Sequence, residues 1–89
     1  MSLITAIYFW SPTCEPCKAL KPVIEDLKEE FSDIQWISVN IKNDPSEISK
    51  KYGITQVPTI VGISATGEIK KQMGRDTAAY YRLLRAISQ

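Results

Sequence analysis

Apolar and polar positions along the chain divide it into seven segments. Leu3-Ile4-Thr5-Ala6-Ile7-Tyr8-Phe9-Trp10 is a nearly unbroken apolar run rich in β-branched and aromatic residues, as expected of a strand buried on both faces. Ser11-Pro12-Thr13 interrupts it. From Cys14 to Phe31, apolar residues recur at Leu20, Val23, Ile24, Leu27 and Phe31, with Glu25, Asp26, Lys28, Glu29 and Glu30 between them. That spacing puts one apolar stripe on an amphipathic helix. Pro22 falls inside it and removes one hydrogen bond, to the carbonyl of Lys18, so a kink is expected there. Residues 34–41 read as a second strand. A short helix follows, with Asp44 as cap, Pro45 in the first position, Glu47 at the capping-box spacing and Gly53 as a left-handed stop.

Thr59-Ile60-Val61-Gly62-Ile63 predicts a third strand, and Ala65-Thr66-Gly67 a tight turn into a fourth over residues 68–73. Lys70 and Lys71 suit an edge that must resist pairing with other molecules. A last helix runs from about Asp76 to Ile87 on Ala79, Tyr80, Leu83, Leu84 and Ile87. The order is β-α-β-α-β-β-α. The first two strands, joined through a helix, should be parallel, and the last two an antiparallel hairpin. The fold class is therefore α/β, a mixed four-stranded sheet with helices on both faces.

Composition changes this picture little. The 89 residues suit one domain, and 11 Lys plus Arg against 10 Asp plus Glu leave a net charge of +1. That balance points to neither nucleic acid nor an anionic membrane as partner. The apolar start is too short to span a bilayer and lacks the flanks of a signal peptide, so the chain reads as cytoplasmic. Histidine is absent, which excludes Cys–His and Ser–His–Asp catalysis. Two cysteines without histidine cannot supply the four ligands of a structural zinc site within one chain, so no metal or cofactor is called for.

The candidate chemistry lies in Thr13-Cys14-Glu15-Pro16-Cys17-Lys18, where the first strand ends and the first helix begins. Free N–H groups and the positive end of the helix dipole stabilise a thiolate there. Thiols so placed can have pKa values lowered to roughly 3.5–7.5 from about 8.5. Cys14, expected on the first turn and facing outward, is the better nucleophile. Cys17, one turn further in, can reach the same sulfur. Pro16 fixes the helix start at a position whose N–H is unpaired in any case. Attack of Cys14 on a target disulfide, followed by attack of Cys17 on Cys14, is the implied exchange. Far away in sequence, Gln56-Val57-Pro58-Thr59 sets a proline at a strand start, a position that often holds a cis bond. Pro58 is expected to face the cysteines and shape a groove in which the Val57 backbone pairs with extended substrate.

The segment Phe9-Trp10-Ser11-Pro12-Thr13-Cys14-Glu15-Pro16-Cys17-Lys18 resembles the thioredoxin family around its redox motif. Pro22 matches the proline of the family's active-site helix, and Tyr52-Gly53-Ile54-Thr55-Gln56-Val57-Pro58-Thr59 is similar to the stretch ending in its cis-proline. Gly67 resembles the hairpin-turn glycine, and Gly74 the glycine beside the active site. The resemblance implies a thioredoxin-like fold lacking the first strand and helix, with the second strand a free edge open to pairing.

It also implies a monomeric protein-disulfide reductase, acting on disulfide-containing protein substrates and recycled by a thioredoxin-reductase-like or other electron donor. Tyr8 stands where the family buries an aspartate, and Ser38 where it has a lysine. Proton transfer from Cys17 then falls to solvent, Tyr8 or Glu15. Glu15 replaces the usual glycine and Thr13 the usual tryptophan, while Arg75 follows Gly74. Glu15 should disfavour the Cys14 thiolate, and Lys18 and Arg75 should favour it. Thr13 and Arg75 make the rim of the groove more polar. Trp10, Trp36, Tyr80 and Tyr81 read as packing residues. Two other readings stay open: a glutaredoxin-like enzyme using glutathione, and a non-catalytic binding module using the same groove.

Overall fold

A computed structural model describes residues 3–88. The elements are β1 (Thr5–Trp10), α1 (Glu15–Glu30), β2 (Gln35–Asn40), α2 (Ile48–Lys51), β3 (Thr59–Ile63), β4 (Ile69–Met73) and α3 (Thr77–Ile87). The sheet order is β2-β1-β3-β4. β1 runs parallel to β2 with Tyr8 opposite Ser38, and antiparallel to β3 with Tyr8 opposite Ile60. β3 and β4 form the expected antiparallel hairpin.

The two faces of β1 explain its lack of alternation. Ala6 and Tyr8 join the core packed by α1 and α3, through Leu20, Ile24 and Leu27 on one helix and Tyr80, Leu83, Leu84 and Ile87 on the other. Ile7 and Phe9 point to the opposite face, against Val39 and Val61, with Ile48 and Tyr52 from α2 and its end packed alongside. A strand with helices over both faces has no polar side to offer. The apolar run is nevertheless longer than the strand, because Leu3 is 65% exposed.

Gly62 is a feature that periodicity does not announce. A Cβ there would lie 2.8 Å from both Ile87 Cδ1 and Leu83 Cδ2, so the glycine lets α3 lie close on β3. At the far end of α1, the Trp36 indole donates to Phe31 O, and Phe31 meets Tyr81 edge-on at 5.3 Å. These contacts tie α1, β2 and α3 together below the site. α1 continues through Pro22 without interruption.

The start of α2 departs from the expected capping box. Glu47 is the N-cap residue but has left-handed backbone angles (φ 53°, ψ 37°) and makes no side-chain cap, so Pro45 lies before the helix. Asp44 does bind the helix start, through Ser49 N and Ser49 Oγ, each at 2.7 Å. A carboxylate can close the turn from five residues away when the intervening chain loops out, and this geometry displaces the N3 glutamate that a capping box requires. The helix ends as expected: Gly53 has φ +64°, and its N–H bonds Lys50 O.

Candidate active site

The cysteine loop is built by local bonds. Ser11, buried at the end of β1, accepts from Cys14 N through its carbonyl (3.1 Å) and from Thr13 N through Oγ (3.3 Å). This turns the chain from strand to helix within three residues. Cys14 is then the N-cap of α1, not a first-turn residue, with extended backbone angles (φ −89°, ψ 106°). Its sulfur takes the part of a capping oxygen and accepts from Cys17 N at 3.1 Å. That contact places a backbone donor on the sulfur where negative charge would develop.

Cys14 and Cys17 are joined as a disulfide, with their Cα atoms 5.2 Å apart. Cys17 is 4% exposed and Cys14 half-buried, the asymmetry expected of an attacking and a resolving thiol. Pro16 is in the first turn of the helix, as expected. Glu15 and Lys18 bind each other at 3.2 Å on the surface, so their opposed influences on Cys14 are coupled in one ion pair.

The second half of the site comes from three distant segments. The Val57–Pro58 peptide bond is cis, and Val57 O lies 3.5 Å from Cys14 Sγ, where a reduced thiol would find an acceptor. Gly74, with φ +104°, donates its N–H to Pro58 O at 3.1 Å. The buried Tyr80 hydroxyl donates to Gly74 O at 2.6 Å and lies 3.1 Å from Pro58 O. One phenol on α3 thus links the proline loop to the glycine turn. Sequence reading assigned Tyr80 to packing, because the apolar face of an amphipathic helix looks the same with or without a target for its hydroxyl. Ser11 was missed in a similar way, although a Ser-Pro pair at a strand end is a turn signal.

Behind the dithiol lies a cavity of about 350 Å³ whose wall includes Tyr8, Trp10, Cys17, Lys21 and Ser38. Lys18 lies on the same wall. Burial raises the Tyr8 phenol above its ordinary pKa. Burial, with Tyr8 nearby, raises Tyr80 further. Both rings therefore stay protonated at neutral pH, and Tyr8 is a poor base for Cys17. Thr13 and Arg75 are exposed, on the loops that carry Cys14 and Gly74 respectively. Among the described residues, no group of three or more cysteine or acidic side chains could hold a metal ion, and no helix is long and apolar enough to cross a membrane.

A Cys-x-x-C pair at a strand–helix junction, facing a cis-proline loop on a mixed sheet, defines the thioredoxin-like class of α/β proteins. The thioredoxin family model matches residues 2–87, and the chain belongs to that family. It is 39% identical over 66 residues to thioredoxin of Mycoplasma genitalium, an alignment covering 74% of this chain and 64% of that protein. Thioredoxin of Chlamydia caviae is 32% identical over 91% of this chain and 79% of its own length. Thioredoxin 1 of Synechococcus elongatus is 33% identical, with 67% of this chain and 56% of the relative aligned. The chain thus spans from about half to about four fifths of these relatives. The crystal structure of spinach chloroplast thioredoxin f in its short form has the same fold, with a TM-score of 0.88 at 22% identity over 99% of this chain and 79% of that one. Fasciola hepatica thioredoxin superposes with a TM-score of 0.87, also at 22% identity, over 97% of this chain and 82% of that one.

Proposed function

We propose that residues 1–89 act as one thioredoxin-like domain that reduces protein disulfides through Cys14 and Cys17. The observation that carries this reading is the N-cap geometry: Cys14 Sγ receives the Cys17 N–H while remaining accessible, and Cys17 is buried behind it. The Cys14 thiolate attacks one sulfur of a target disulfide. The target S–S bond breaks, a Cys14–target bond forms, and the released target thiolate takes a proton from solvent. Cys17 then loses its proton and attacks Cys14 Sγ. This expels the second target thiolate, which is protonated in turn, and leaves the Cys14–Cys17 disulfide. A dithiol electron donor, such as a thioredoxin-reductase-like protein, returns the pair to its reduced form.

In this reading the proton of Cys17 leaves to solvent through the adjoining cavity. Tyr8 is held protonated, and Glu15 is exposed and paired with Lys18. The extended target segment lies along Val57 and the cis-proline, with Gly74, Thr13 and Arg75 on the rim. A reducing compartment such as the cytoplasm suits this direction of exchange.

Redox titration of the Cys14–Cys17 pair in dithiothreitol and glutathione buffers tests the reading. A reversible two-electron couple at about −270 mV, as for thioredoxin, is expected. A couple toward about −200 mV or above would favour the glutaredoxin-like alternative. If no intramolecular disulfide forms at any potential, the dithiol reading fails and the groove is a binding site only.

A further inference from the structure

The charges of this chain are unevenly placed. Through residue 33 it carries six acidic side chains and three basic ones, and from residue 34 onward four acidic and eight basic. Three of the four later carboxylates are already committed. Asp44 binds Ser49, Glu68 pairs with Lys70 at 3.0 Å, and Asp76 accepts from Ala78 N and Ala79 N at the start of α3. The fourth, Glu47, precedes α2 and enters no ion pair among the described residues. Lys51, Lys71 and Arg75 are exposed and likewise enter none.

These three cations lie along one strip that begins at the groove. In the β3–β4 register Met73 stands opposite Thr59 and Lys71 opposite Val61, so both share the face that Val61 turns toward α2. Lys71 Nζ reaches the end of α2 and donates to Tyr52 O at 2.9 Å. That bond leaves Lys71 its charge and two further N–H groups. Lys51 Nζ lies 5.6 Å from the centre of the Tyr52 ring. At the groove end, Gly74 N is bonded to the carbonyl of the cis-proline Pro58, and Arg75 follows directly. Between the cations stands Met73, 43% exposed. Cations at both ends and an apolar side chain between them, continuous with the groove, suit a partner of opposite charge.

We infer that this strip selects, among protein disulfides, those with acidic residues near the reactive cysteine. The inference rests on the dithiol reading and names its substrate class; the exchange steps themselves are unchanged. Arg75 meets a carboxylate close to the target cysteine, where its planar fork can bind both oxygens. Lys71 and Lys51 meet carboxylates further along the target, and Met73 covers an apolar side chain between them. Glu15 and Lys18, next to Cys14, offset each other in their own ion pair and impose no contrary preference.

Short peptides with a central cysteine, oxidised to symmetric disulfide dimers, test the inference. One dimer carries glutamates on both sides of the cysteine and the other lysines. The second-order rate of each with the reduced 89-residue protein is divided by its rate with dithiothreitol, which removes the intrinsic reactivity of the peptide. The glutamate dimer is expected to react about tenfold faster at low salt, with the ratio falling toward one at about 0.5 M salt. Arg75→Glu and Lys51→Glu are each expected to lower the ratio several-fold. Arg82→Glu makes the same change of charge on the other face of the sheet, beside Gln72 and Leu83, and is expected to leave the ratio as it was. Equal rates for the two dimers, a ratio that survives high salt, or an equal loss of preference in Arg82→Glu would each overturn the inference and leave the dithiol chemistry standing. If the reduced protein exchanges with neither dimer nor with hydroxyethyl disulfide, the dithiol reading itself fails and the inference falls with it.

Discussion

The two halves of the site are assembled by different means. Around Cys14 the bonds that turn the strand into the helix are local, each spanning three residues or fewer: Cys14 N to Ser11 O, Thr13 N to Ser11 Oγ, Cys17 N to Cys14 Sγ. Around Pro58 the bonds cross from one element to another, with Gly74 N and Tyr80 Oη both reaching back to the proline carbonyl. The cysteine half is a helix start whose shaping bonds all lie within residues 11–17. The proline half exists only when β3, β4 and α3 are already in place. Chemistry and fold are therefore separable at the first half and coupled at the second, and substitutions can sharpen or break that contrast.

The largest effect is expected from Cys14→Ser, which should reduce disulfide exchange to background by removing the nucleophile. Its urea midpoint should match that of the reduced wild-type protein, since serine is also a good N-cap. A large loss of stability would show that the cysteine half is not locally built.

Tyr80 comes next. Tyr80→Ala opens the core and should cost about 3–5 kcal/mol. Tyr80→Phe keeps the ring and removes only the hydroxyl, for an expected loss of about 1–3 kcal/mol by chemical denaturation. The Phe variant should also raise KM for a protein disulfide more than it lowers the rate with a small disulfide, because the groove loosens while the dithiol is untouched. Equal effects on both substrates would contradict the separation.

Alkaline titration approaches the same group without mutation. Burial raises the Tyr80 pKa in the folded state, so the unfolded chain ionises first. The Tyr80 contribution is fully present below about pH 10 and is lost as pH rises through the unfolded and then the folded pKa. The wild-type midpoint should fall above about pH 10 more steeply than that of Tyr80→Phe. Parallel curves would mean that the phenol is not buried in solution.

The smallest effect is expected at Asp44, outside both halves. Its carboxyl is held below the usual range by the Ser49 hydroxyl and then the Ser49 N–H, so its contribution is present above about pH 4 and lost as pH falls through the folded pKa. Asp44→Asn should lower stability slightly at pH 6 and converge on the wild type as pH falls below the folded pKa, as measured by urea midpoints. A gap that persists in acid would remove the charge from the explanation.

Much of the fold was legible because its signals are local or periodic. The unbroken apolar run of β1 encodes burial on both faces, the stripe from Leu20 to Leu27 encodes the buried side of α1, and Gly53 encodes a stop. The capping box at Glu47 failed for a physical reason. Asp44 reaches past it to Ser49, and spacing alone cannot tell which of two nearby carboxylates will close a turn. Cys14 was displaced by one position, from first turn to cap, a difference set by Ser11 gripping the loop.

Residue order and helix-end chemistry suffice to set a dithiol at a strand–helix junction. Residue order also marked Pro58 as a second element. The tertiary structure alone decided that Tyr80 would bind the proline loop to Gly74, that Gly62 would admit α3, and that Tyr8 would be held protonated behind Cys17. A hydroxyl, a missing Cβ and a buried phenol acquire their roles from neighbours many residues away. Which atoms become neighbours is fixed only when the sheet and helices pack.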